Sequence, residues 1–97
     1  MPAAILDVRS DLQAVASGAY LEAKPTGTEE WVIHNIYAPE TSVILRYFDG
    51  TKAIDFVTQA GPFLNVQFHV NATRWLRIVN NDGATQNIGY DGVLTHT

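Results

Sequence analysis

The run Leu64-Asn-Val-Gln-Phe-His-Val70 alternates strictly between apolar and polar residues, the period of a strand with one face on a core and the other in water. It predicts Leu64, Val66, Phe68 and Val70 inside and Asn65, Gln67 and His69 outside. Six further runs are rich in β-branched and aromatic residues and read as strands: 19–24, 30–37, 42–48, 52–58, 74–79 and 85–90. Turn chemistry separates them at Pro25 and Gly27, Pro39, Asp49-Gly50, Gly61-Pro62, Asn80-Asn-Asp-Gly83 and Asp91-Gly92. Short strands recurring roughly every ten residues are the signature of a sandwich, jelly roll or small barrel. No run between strands is long enough for the crossover helix of a parallel sheet.

The first eighteen residues follow a different pattern. Residues 5–8 can form an eighth strand, and residues 11–17 a turn or two of helix before Gly18. A segment that adds a strand to a neighbouring subunit fits equally well. The expected architecture is therefore all-β: an antiparallel, jelly-roll-like β-sandwich of seven to eight short strands with an N-terminal arm. Residues 1–18 are the arm or an edge strand, and residues 19–97 a single domain.

At 97 residues the chain has room for one core. Only 16% of its residues are charged, against about 25% in typical domains, which points to a surface partly covered by a partner. The net charge of −4 and six scattered basic residues argue against nucleic acid. Arg74 and Arg77 flank Trp75, but an ordinary strand with snorkelling arginines explains that trio better than a base-stacking platform. The absence of cysteine excludes disulfides, thiolate zinc sites and cysteine nucleophiles. Nothing resembles a membrane span, and MPAAILDVRS lacks the basic start and apolar run of a signal peptide, so cytoplasmic synthesis without membrane contact is expected.

The search for chemistry returns little. His34, His69 and His96 have no zinc-type spacing. Asp49, Asp82 and Asp91 each precede a glycine and read as turn residues, while Asp55 reads as solvent-facing between Ile54 and Phe56. Glu29-Glu30 reads as a solvated loop. Ser10 and Ser17 lack the setting of a nucleophile, and Asn71-Ala-Thr73 is a chance glycosylation match in a chain without a secretion signal. The expectation is a protein that binds or builds, with no enzyme activity, cofactor or metal. Amphipathic anchors do exceed background: Trp31, Tyr37, Tyr47, Trp75, Arg77 and Tyr90 are the interface or ligand candidates. Trp31 and Trp75 are assigned to the core or a subunit interface. The alternative, a carbohydrate-binding module at a fibre tip or free, requires Trp31, Tyr37 or Trp75 exposed together on one face.

Several stretches carry a resemblance. Gly18-Ala-Tyr-Leu-Glu-Ala-Lys-Pro25 followed by Gly27-Thr-Glu-Glu-Trp-Val-Ile-His-Asn-Ile36 resembles the opening of small phage virion proteins. Asp49-Gly-Thr51, Trp75-Leu-Arg-Ile-Val-Asn80 and Asn87-Ile-Gly-Tyr-Asp-Gly92 are similar to their later segments, so the likeness spans residues 18–92. It implies a head-decoration, cement or fibre-base module with a jelly-roll-like sandwich, assembled as a homotrimer. The implied partners are a major capsid protein and, for a fibre module, a fibre protein or a surface glycan. The implied location is the outer surface of a virion, and no catalytic residues come with it.

Overall fold

The computed structural model describes residues 4–38 and 41–97. The first three positions of the expected arm, and Pro39 at the end of the third run, lie outside the described residues. Eight strands follow one another: β1 (Val8–Val15), β2 (Tyr20–Ala23), β3 (Glu30–Tyr37), β4 (Ser42–Phe48), β5 (Ala53–Ala60), β6 (Phe68–Asn71), β7 (Trp75–Asn80) and β8 (Gln86–His96). They form two antiparallel four-stranded sheets, ordered β1-β8-β3-β6 and β2-β7-β4-β5. The pairs β1·β8, β2·β7, β3·β6 and β4·β5 are nested one inside the next. The chain is thus one long hairpin rolled into two layers, the jelly-roll arrangement expected from the sequence. Its tip is the Asp49-Gly50 turn, where the Asp49 carboxylate accepts the amides of Thr51 and Lys52 at 2.9 and 2.7 Å.

Alternation along the strands builds the core. Ile33 and Ile36 of β3, Val43 and Leu45 of β4, Leu76 and Ile78 of β7, and Ile88 and Leu94 of β8 are fully buried. Each contributes on the order of 1.5–3 kcal/mol of transfer free energy. Asn80 is a buried polar residue that ties the layers together. Its amide donates to the carbonyls of Val15 (2.8 Å) and Ala84 (2.9 Å), and its side-chain oxygen accepts from the Asp82 amide (2.8 Å).

Three sequence expectations are corrected. Residues 11–17 form no helical turn: Val8–Val15 is a full strand hydrogen-bonded along β8. The alternating run 64–70 is a strand only from Phe68, and Leu64 points into solvent. A bulge between Ile33 and Asn35 displaces the register of β3. The chain there meets β3 only at isolated points: Phe63 and Ile36 exchange both backbone hydrogen bonds (2.8 and 2.9 Å), and the Val66 amide donates to the His34 carbonyl, with Asn65 at a φ of 60°. Phe63, outside the predicted alternation, is buried in place of Leu64.

The third correction concerns Asp91-Gly92, which is no turn. Both residues lie inside β8, which runs on to His96. Gly92 is needed for close approach: a Cβ there would stand 2.1 Å from the Val32 carbonyl oxygen and 2.8 Å from the Ile33 Cα. The bulge in β3 requires that closeness.

Candidate functional site

The outer face of the β2-β7-β4-β5 sheet carries a closed network of aromatic and charged side chains. The Arg77 guanidinium lies 4.1 Å from the ring centres of both Tyr20 and Phe48. Its Nε donates to Glu22 at 2.8 Å, and the same carboxylate oxygen accepts the Trp75 indole N–H at 2.7 Å. Phe48 meets Trp75 edge-on at 5.4 Å, and the Lys24 ammonium sits 4.1 Å over the Trp75 ring. Partial burial works against the Glu22 carboxylate. The hydrogen bonds from Arg77 and Trp75, with the Arg77 and Lys24 charges, together outweigh it and hold its pKa below the usual value. The cations of this network already occupy the aromatic faces. Trp75 and Arg77 therefore belong to a self-satisfied structural ladder with Glu22 and Lys24, whereas Arg74 lies apart from it, beside the β4–β5 hairpin.

The outer face of the β1-β8-β3-β6 sheet is organised in rows set by strand register. Val8, Val93, Val32 and His69 form one row, and Leu12, Gly89 and Tyr37 another. Between them Ser10 lies opposite Asp91, whose two carboxylate oxygens accept from the Asn35 amide (2.8 Å) and the Tyr37 hydroxyl (2.5 Å). That hydrogen bond is the main reason the Tyr37 pKa lies above its ordinary value. A shallow groove of about 470 Å³ at Gly89 is lined by Leu12, Tyr37, Ser10 and Asp91 among others.

The six residues singled out from the sequence occupy four separate places. Trp31 and Tyr90 stack on the inner side of their sheet, 6.5 Å apart at 28°. The Trp31 indole donates to Glu29, which also pairs with Arg9, so Glu29 is engaged where a solvated loop was expected. Burial, with a contribution from the Asp11 charge, pushes the Tyr90 phenol up to about 12. Tyr37 stands on the outer face beside Asp91. Tyr47 borders a small depression with Ile54, Lys52 and Arg74 at the β4–β5 hairpin. Trp75 and Arg77 belong to the ladder on the opposite sheet. Trp31, Tyr37 and Trp75 do not share a face, so the platform a sugar-binding module requires is not assembled from them.

The carboxylates and histidines are dispersed as well. Among the described residues, no group of three or more His, Cys, Asp or Glu is placed to hold a metal ion. Asp55 pairs with Arg46 across the β4–β5 ladder at 2.6 Å. His96 is held at the Thr28 carbonyl, 3.1 Å away.

The feature that sequence reasoning missed is at the sheet edges. Two of the four edge strands, β2 and β6, are only four residues long, whereas β1 and β5 have eight each. In β5 only Val57 is half-buried; Ile54 is 65% and Phe56 41% exposed. In β1 Val8 is 68% and Leu12 70% exposed. The sequence signal for β5 was present: an eight-residue stretch of high β-propensity with a single charge and no proline. The exposure of its apolar residues is not legible there, because alternation alone does not tell an inner strand from an uncovered edge. No protein-family model matches the chain, and no curated protein matches it in sequence.

Proposed function

We propose that the chain is a non-catalytic structural virion protein, a capsid decoration or cement module that binds the outer capsid surface as a homo-oligomer, most simply a homotrimer. The observation that carries this reading is the exposed apolar edge strand β5, matched by the equally long and exposed β1. Natural sheet proteins shorten, charge or cover their edges. A folded chain that leaves two eight-residue edges uncovered is suited to work in contact with other protein. The low charged fraction and the resemblance across residues 18–92 favour the same reading. The dispersed positions of Trp31, Tyr37 and Trp75 take from the carbohydrate-binding alternative the shared platform it needs. The fold by itself decides nothing between these, since jelly rolls serve capsids, lectins and enzymes alike.

The test is co-sedimentation with heads of the parent virus prepared without the protein. Saturable binding at a fixed ratio to the major capsid protein is the expected result. Failure to sediment with any head preparation, mature or immature, contradicts the reading.

A further inference from the structure

The two long edges lie on opposite sides of the sandwich. The sheet orders place β1 beside β2 on one side, and β5 beside β6 on the other, where Phe56 meets Phe68 at 5.6 Å. They cannot pair with each other within one molecule. They also differ in charge. Near β1, Asp7 and Asp11 make only local hydrogen bonds, and no ion pair among the described residues engages them. Beside β5, Lys52 and Arg74 rim the depression at Tyr47 and Ile54 together with a single carboxylate, Asp49, whose charge both of them stabilise without a close ion pair, so this rim is net positive.

From these observations we infer that the β1 edge of one copy docks against the β5 edge of the next, head to tail, joining the four-stranded sheet of each to the opposite sheet of its neighbour. The occupant of each edge is a second copy of this chain. Equal strand lengths, apolar residues on both sides and opposite net charge at the two edges favour this contact over β1 on β1 or β5 on β5, which would bring like net charges together. A head-to-tail contact either closes into a ring or grows into a filament. The ring follows from the homo-oligomeric reading above, on which this inference rests.

Because the chain has no cysteine, introduced thiols report the contact without background. Ser10 and Thr58 are exposed polar positions near the middle of β1 and β5. The Ser10→Cys/Thr58→Cys variant of the full chain, treated with a flexible bifunctional thiol reagent, should give a covalent trimer on a denaturing gel. Each single variant should give only monomer. A covalent dimer from Thr58→Cys or Ser10→Cys alone would overturn the head-to-tail arrangement. If light scattering on the same sample shows a trimer but the double variant does not cross-link, the edge pairing is wrong while the oligomeric reading stands. A monomer by light scattering removes both. As a second measurement, Ile54→Glu alters a largely exposed side chain and places a negative charge against the acidic β1 edge. It should reduce the assembly to monomer with an unchanged circular dichroism spectrum and melting curve; a persisting trimer overturns the contact.

Discussion

Asn80 shows how much one side chain carries in a domain this small. Its amide group bonds three backbone groups from two separate stretches of chain, at Val15, Ala84 and Asp82. Asn80→Ala leaves buried polar groups unpaired at a cost of about 1–3 kcal/mol for each, a large share of the roughly 5–15 kcal/mol that holds a domain together. We expect the urea midpoint to fall markedly with an unchanged slope; a midpoint equal to wild type would refute the role assigned to Asn80. Tyr90 gives a pH-dependent counterpart. Its phenol ionises near 10 when unfolded and is pushed to about 12 in the fold. The folded state therefore keeps a proton that the unfolded state has lost, and stability falls as pH rises from about 10 towards 12. Comparing wild type with Tyr90→Phe by thermal melts at pH 8 and pH 11 isolates this loss, which the variant should not show. At this scale the sequence was only partly legible. Asp49 was read correctly as a turn residue, but Asp91 was not, because an Asp-Gly pair looks the same whether glycine serves a turn or a close approach.

The elements divide by how local their determinants are. β3 and β4 form over the residues read from the sequence, since their β-branched and aromatic runs end at strong turn signals. The run 64–70 has the cleanest alternation in the chain, yet only its second half is strand. What defeats it is the bulge in β3, a feature of the partner that no reading of residues 64–70 alone contains. An edge strand was one of two readings for residues 1–18, but its extent over Val8–Val15 was not legible because Val-Arg-Ser-Asp-Leu-Gln-Ala-Val has little β-propensity. Its place is fixed by eight residue pairs along β8. Gly92 links these elements, since β8 passes the bulge with no room for a side chain. Gly92→Ala is expected to destabilise the fold by on the order of 2–4 kcal/mol, at the severe end for single substitutions. Gly83→Ala, with open space around the added methyl, should be near neutral. Chemical denaturation of both variants checks the contrast, and equal effects would contradict the close-approach explanation.

Taken whole, the molecule is a rolled hairpin whose interior is finished and whose edges are not. The core is complete, and among the described residues no buried side-chain polar atom lacks a partner. The outer face of the β2-β7-β4-β5 sheet saturates its own cations and rings. What remains uncovered is the apolar surface of the long edge strands β1 and β5, on which the proposed assembly rests. The fold class was legible in the sequence because periodicity and turn spacing report it directly. The distribution of the six candidate aromatics and arginine among four places was not, because it depends on which layer each strand joins. The measurement that bears most directly on this account is the absolute solution mass of the full chain, by light scattering on a sizing column over a dilution series. A mass three times the 10.7 kDa of the chain that persists on dilution is the predicted result. A monomer at every concentration would contradict it.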